Sequence, residues 1–404
     1  MGEPSIGAVE GALRILPASV TEAVETPAFI VSEQAVLEGL DATRRLRQRT
    51  DCKLLYTLKP LASAFLLELM RPALDGFSAS SLYEARLARA AVLPGGTVHI
   101  TTPGFRAGEI AELDRLCDYV AFNSLSQLQR FAPSLHGDSK TGLRVNPRLS
   151  LVDDERYDPC RTHSKLGTPI GQLRRLLDQH AGQLDGVRGL HFHTNCDAED
   201  FTPLLATVRR IEKRLGDWLP RLDWINLGGG YVLDAATDLA PLAEAVERLK
   251  ASADLEVFIE PGATLVRRAG YLVTEVIDLF RSSGKTVAVL DTTINHWPEI
   301  FEYQFEPDIA GHNDDGEYEY LLAGCSCLAG DLLGEYAFDV PLEIGSRLVL
   351  PDFGAYTMVK ANMFNGINLP TIYSVTPGGN VVLQRRFTFD DFSSRTGVAT
   401  DASV

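Results

Sequence analysis

The chain has 404 residues, 45% hydrophobic and 23% charged, a composition that suits a soluble globular protein with a sizeable core and excludes disordered or collagen-like structure. Its length points to one large barrel with an accessory domain or to two domains of similar size. With 38 Lys and Arg against 54 Asp and Glu, the formal charge of -16 repels polyanions, so no nucleic-acid partner is expected.

No run approaches the roughly 20 apolar residues that span a bilayer, and the N-terminus lacks the basic-then-apolar order of a signal peptide. A cytoplasmic protein with no membrane partner is expected. The six cysteines, at 52, 117, 160, 196, 325 and 327, have no framework spacing and read as reduced thiols.

In chain order, residues 1 to about 24 look like a loosely held terminus. Residues 28–32 read as a strand able to pair with a later domain. Eight short apolar runs follow, at 53–58, 76–80, 97–102, 119–122, 142–146, 189–194, 224–229 and 257–262. Segments of helical spacing separate them, such as 82–90 and 239–249, long enough for right-handed crossovers between parallel strands. Eight such units match a (β/α)8 barrel. From Tyr271 the runs 271–279, 286–290, 318–323, 347–350, 371–375 and 381–383 are β-rich and separated by turn residues, as in an all-β domain. The predicted fold is therefore α/β, a barrel plus a C-terminal β-domain, with boundaries at 1–34, 35–265 and 266–404. Residues 396–404 read as a loose tail.

In such a barrel, chemistry gathers where the strands end. Lys59 closes the first run and is a candidate Schiff-base former if burial depresses its pKa, or else a solvated strand-end lysine. Gly228, Gly229 and Gly230 could expose backbone N–H groups to a phosphate, or simply make a tight βα turn. Glu260 closes the last run and could hold a proton on a pyridine nitrogen. His191 and His193 share a strand face, which also permits a metal-dependent hydrolase, although only His296 and His312 lie farther along the chain. In the β-domain, Cys327 and Asp331 join a thiol to a carboxylate, offering a proton donor and an amine partner or a structural pair. The stretch 353–366 carries Tyr356, Lys360 and Phe364 close together.

Several motifs together resemble the pyridoxal phosphate-dependent decarboxylases of the alanine racemase-like fold, which include ornithine and diaminopimelate decarboxylases. They are Gly189-Leu190-His191-Phe192-His193-Thr194-Asn195-Cys196, Cys327-Leu328-Ala329-Gly330-Asp331, and Met358-Val359-Lys360 followed by Phe364-Asn365-Gly366. Tyr157-Asp158-Pro159-Cys160 and Ser164-Lys165-Leu166-Gly167 add to them. Within that family the resemblance is to the branch acting on carboxynorspermidine and carboxyspermidine, and it runs from Thr26 to about Ile372.

The resemblance implies that Lys59 carries pyridoxal phosphate and that His193 stacks on its ring. Gly228, Gly229, Gly230, Gly262 and Tyr356 would hold the phosphate, Glu260 would face the ring nitrogen, and Arg144 and Glu84 would support the cofactor. Cys327 and Asp331 would come from the partner in a homodimer with shared sites, and Glu299 and Phe364 would meet the substrate. No metal is implied. The chain departs from the family's pattern at Ala263-Thr264, His296-Trp297-Pro298 and Glu306-Pro307, which bears on the substrate side chain rather than on the cofactor. A different amino-acid substrate of the same fold is the alternative, with Glu299, Glu302 and Glu306 either greeting a polyamine tail or forming a solvated face.

Overall fold

The computed structural model describes residues 16–234 and 236–397. It divides into two units: Leu37–Leu265, and the described residues that precede and follow that stretch. Strand β1 (Ala28–Ser32) belongs to the second unit. The first unit contains β2 (Lys53–Thr57), β3 (Gly76–Ala79), β4 (Thr97–Thr102), β5 (Tyr119–Phe122), β6 (Lys140–Asn146), the two-residue β7 (Thr168–Pro169), β8 (Gly189–His191), β9 (Trp224–Asn226) and β10 (Glu256–Ile259). Eight of these pair in the order β5-β4-β3-β2-β10-β9-β8-β6, and β6 returns to β5, so a parallel (β/α)8 barrel closes.

The barrel interior is filled from the amino ends of its strands. There Glu256 accepts from Lys53 Nζ at 2.8 Å, from the Tyr119 hydroxyl at 2.5 Å and from Lys140 Nζ at 3.3 Å. Against Tyr119 lie Trp224, with ring centres 5.2 Å apart, and His99, stacked at 4.1 Å. Gly142 and Gly189 make room for the indole: a Cβ at Gly189 would stand 1.9 Å from Trp224 Cε2. Truncating so buried a Trp to Ala costs about 3–5 kcal/mol through the void it leaves. With its amino end plugged, the barrel keeps its carboxyl ends for chemistry.

In the second unit, β1 is central. It pairs antiparallel with β11 (Gly270–Ser282) and parallel with β16 (Thr371–Val375). The sheet extends through β12 (Lys285–Leu290), β13 (Tyr318–Ala323) and β14 (Leu332–Phe338) on one side and β17 (Val381–Arg385) on the other, with β15 (Arg347–Leu350) also on β11. A register shift between Val276 and Asp278 lets the long β11 serve β1 and β15 with one half and β12 with the other.

Two expectations need correction here. The run 332–338, read as connecting chain, is a strand, with Gly334 at φ +144° interrupting its side-chain pattern. Residues 16–24 are not loose: Leu16, Val20 and Val24 are buried against Tyr271, Val273 and Tyr373. Arg347 ties them down, its Nη1 donating to the Thr21 carbonyl and, at 3.0 Å, to that of Val24. The rest of the expected loose termini, 1–15 and 398–404, lies outside the described residues, whereas Phe389–Thr396 is a helix opened by a Thr388–Asp391 capping box.

Candidate active site

Lys59 stands at the carboxyl end of β2, held there by Leu58 N–H on the Ser78 carbonyl at 3.0 Å and Thr57 N–H on that of Pro261 at 3.3 Å. The residue as a whole is exposed, but protein surrounds its ammonium. Burial lowers the Lys59 pKa, the Arg144 guanidinium lowers it further, and Cys196, Glu260 and Glu84 oppose them. Loss of the proton exposes the lone pair that attacks a carbonyl.

His193 lies two residues beyond β8 and is half-buried. Its Nδ1 accepts the Gly229 N–H at 3.1 Å, so the ring proton sits on Nε2. Burial, then Lys59 and Arg144, hold its pKa well below the ordinary imidazole value against the pull of Glu260. The ring is a flat, neutral face.

The turn 228–230 is glycine for two reasons. Gly228 and Gly230 have φ of +70° and +92°, which side chains rarely adopt. The turn also presses on backbone: a Cβ at Gly229 would stand 2.1 Å from the Glu260 carbonyl, and one at Gly230 2.2 Å from that of Asn195. The Gly228 N–H is taken by Asn226 Oδ1 at 2.9 Å, whereas the N–H groups of Gly230 and Gly262 have no acceptor among the described residues.

Glu260 directly follows β10 and is buried. Burial alone would raise its pKa, but His191, Ser78 and His193 outweigh that and bring it below the usual carboxylate range. Its Oε1 also accepts from Asn226 Nδ2 at 2.8 Å. Asn226 thus fixes the carboxylate and the glycine turn together, a role the sequence reading missed. Its signal was there, because an Asn two residues ahead of a glycine turn is placed to accept the backbone N–H two positions on.

Arg144, on β6, is buried, its guanidinium makes no hydrogen bond or ion pair with any described residue, and burial pulls its pKa down to about 10 against Glu260 and Cys160. Glu84 is placed by its helix, Leu82–Ala91. Ser81 caps the helix by accepting the Glu84 N–H at 3.2 Å, and the Glu84 carboxylate accepts the Ser80 N–H at 2.7 Å. Ala85, Ala88 and Ala91 are the residues this helix buries. Gly262 faces Thr57, whose Cγ2 would be 2.5 Å from an added Cβ.

In the β unit, Cys327 is exposed and its backbone N–H donates to Asn365 Oδ1 at 2.9 Å. Asp331 is buried, and its carboxylate is engaged by the Ile294 N–H at 2.8 Å, the Ser326 N–H at 2.9 Å and the Ser326 hydroxyl. It shapes the turn that carries Cys327, its carboxylate accepting these three hydrogen bonds from within the same unit. The acidic cluster is likewise occupied: Lys360 Nζ meets Glu299 at 3.0 Å and Glu302 at 2.7 Å, while Glu306 Oε1 accepts the Glu335 N–H at 3.4 Å. Tyr356 sits at φ +60°, a left-handed conformation unusual for its type, and Phe364 is exposed.

Among the described residues, His191 and His193 are not joined by further His, Cys, Asp or Glu into a group of three able to hold a metal, all six cysteines are free, and no helix is long and apolar enough to cross a membrane. Residues 40–267 match the family model described as pyridoxal-dependent decarboxylase, pyridoxal binding domain. The chain belongs to that family.

This decarboxylase is 36% identical over 380 residues to carboxynorspermidine/carboxyspermidine decarboxylase of Herminiimonas arsenicoxydans, covering 92% of this chain and 99% of that one. It is 35% identical over 396 residues to carboxyaminopropylagmatine decarboxylase of Synechocystis sp., covering 96% and 99%. The crystal structure of carboxynorspermidine decarboxylase from Campylobacter jejuni complexed with norspermidine matches with a TM-score of 0.82 at 28% identity, covering 92% of this chain and 100% of that one.

The cofactor of the decarboxylase is pyridoxal phosphate. The barrel end suits it chemically, with a depressed lysine for its aldehyde, an unpartnered guanidinium and free backbone N–H groups for an anion, and an ionised carboxylate for a ring nitrogen.

Proposed function

We propose that the decarboxylase removes the α-carboxylate of carboxynorspermidine or carboxyspermidine, giving norspermidine or spermidine. The observation that carries this reading is similarity over nearly the whole length to relatives named for those substrates. When bound, pyridoxal phosphate supplies an electron-accepting ring that takes up the electron pair left on Cα as CO2 departs.

Lys59 would bind the cofactor covalently and His193 would lie against its ring. Gly228, Gly229, Gly230 and Gly262 would hold the phosphate, and Tyr356 is carried into that role by the sequence pattern alone. Glu260, kept ionised, would hold a proton on the ring nitrogen, with Arg144 and Glu84 supporting. Cys327 would return a proton to Cα and, coming from a second copy, would make the active enzyme a homodimer. We assign Asp331 to holding the Cys327 turn rather than to binding the substrate ammonium. For the far end of the substrate, Phe364 and Glu299 remain the residues to test, Glu299 exchanging its Lys360 partner for a substrate amine. Free cysteines suit a reducing cytoplasm.

The Synechocystis relative supports a second reading, in which the substrate is carboxyaminopropylagmatine. The two substrates share the carboxylated aminopropyl end and differ at the far end, amine against guanidine. Incubating the holoenzyme with both, and with ornithine and diaminopimelate, and identifying the products decides. Norspermidine or spermidine is the expected product, and turnover confined to ornithine or diaminopimelate would refute both readings.

A further inference from the structure

Inside the barrel, next to the Glu260 carboxylate, is a cavity of about 10 Å³ whose walls include Ser78, Thr101, His191, Trp224, Asn226 and Glu260. Four polar atoms of these walls are buried without a hydrogen-bond partner: Thr101 Oγ1, both ring nitrogens of His191, and Trp224 Nε1. Buried polar groups are nearly always satisfied, by protein or by water. A space of roughly 10–15 Å³ with two to four polar partners is what one buried water requires.

The groups around the cavity restrict how it can be filled. Trp224 Nε1 is a donor only, and the indole cannot turn away to find another acceptor: the bare faces of Gly142 and Gly189 lie so close that an added Cβ would stand 2.4 Å and 1.9 Å from its ring. Glu260 Oε1 already accepts from Asn226, and Oε2 is 3.7 Å from His191 Nε2, too far for a formed hydrogen bond. The imidazole can accept at one nitrogen and donate from the other.

We infer that this cavity binds one water, which accepts the Trp224 N–H, shares a hydrogen bond with the Thr101 hydroxyl and donates to His191 Nδ1. His191 then carries its proton on Nε2, where it points that proton at Glu260 Oε2. The histidine is a positioning residue: it acts through Glu260, its N–H dipole facing the second oxygen from 3.7 Å while Asn226 bonds the first. The water site stands whatever the barrel binds, and its effect on turnover rests on the cofactor reading above.

A high-resolution crystal structure of the holoenzyme tests the site directly. One ordered peak is expected at about 2.7–3.2 Å from Trp224 Nε1, Thr101 Oγ1 and His191 Nδ1. An empty cavity, or a direct hydrogen bond among these side chains that closes it, overturns the proposal. Trp224→Phe removes the donor and keeps most of the ring volume. Nitrogen-15 spectra of labelled histidine should then show His191 losing its fixed Nε2–H form, and an unchanged tautomer would contradict the relay.

For the positioning role, His191→Leu should lower kcat on the order of tenfold at unchanged KM, less than the ~10^2-fold scale of removing a group that acts directly. His191→Gln, which keeps an N–H donor, should recover part of the loss. Unchanged kcat in His191→Leu, or no recovery in a folded His191→Gln, removes His191 from that role. If the holoenzyme does not carry pyridoxal phosphate on Lys59, the cofactor reading fails while the crystallographic result still decides the water site.

Discussion

The carboxyl end of the barrel and the loops of the β unit are both built from residues able to do chemistry, but they are constrained to different degrees. In the barrel, Glu260, Asn226, His193 and the glycine turn hold one another through hydrogen bonds of 2.8–3.1 Å, so each group's charge and tautomer follow from its neighbours. In the β unit, Asp331 and Lys360 are consumed by internal partners, while Cys327 and Phe364 stand exposed. The contrast teaches that the barrel residues proposed to hold the cofactor fix one another, whereas two of the residues proposed to meet the substrate stand exposed.

Breaking the barrel side should have the largest effect. Lys59→Ala is expected to abolish turnover and, with it, the visible absorption of the bound cofactor; measurable turnover in a preparation free of wild type would contradict the assignment. Glu260→Gln should still bind the cofactor but lose on the order of 10^2-fold or more in kcat, because a neutral amide cannot hold the ring nitrogen protonated. A kcat near wild type would mean that the ring nitrogen has another partner.

The β side sharpens the comparison. Cys327→Ala should still release CO2 but return the proton to the wrong atom, so that water releases an aldehyde in place of the amine and the amino nitrogen stays on the cofactor as its pyridoxamine form. Mixing it with Lys59→Ala should restore some amine production, since one site of the mixed dimer is then wild type throughout. Clean amine from Cys327→Ala alone would exclude the thiol as donor, and no restoration despite demonstrated subunit exchange would exclude shared sites.

Asn226→Ala probes the link within the barrel. It leaves Glu260 Oε1 and the Gly228 N–H without their partner, so a loss of about 1–3 kcal/mol in urea unfolding is expected. Unchanged stability would show that neither hydrogen bond contributes.

A further effect, on pH, treats both units alike. Burial holds His99 in the barrel at about 3 and His296 in the β unit at about 4. Below about pH 6.5 the unfolded chain takes up protons that the fold refuses, so stability should fall from there toward pH 4 by at most ~1.4 kcal/mol per pH unit for each histidine. Above pH 6.5 neither adds a slope. Unfolding midpoints of His99→Gln should fall less steeply with acid than those of wild type, and parallel curves would refute the account.

Much of this was legible in the sequence because strand ends announce themselves. The eight barrel runs end in Lys, Gly, Ser, Asn, Thr or Phe beside a helical pattern, and the strands form where that alternation puts them. Strand β14 was missed because Gly334 breaks its alternation just after the Asp331 turn. The partners of Asp331 and Glu299 were not legible at all: Ile294 and Lys360 lie 37 and 61 residues away, and no local pattern encodes such pairs. Trp224 looked like an ordinary strand residue, since the glycines that admit it belong to two other strands.

The central claim, that the barrel carries the cofactor on one depressed lysine, is tested most directly by reducing the holoenzyme with borohydride and mapping the modified peptide. The account predicts a single pyridoxyl label on Lys59. A label on any other lysine, or none on a protein that shows decarboxylase activity, would contradict it.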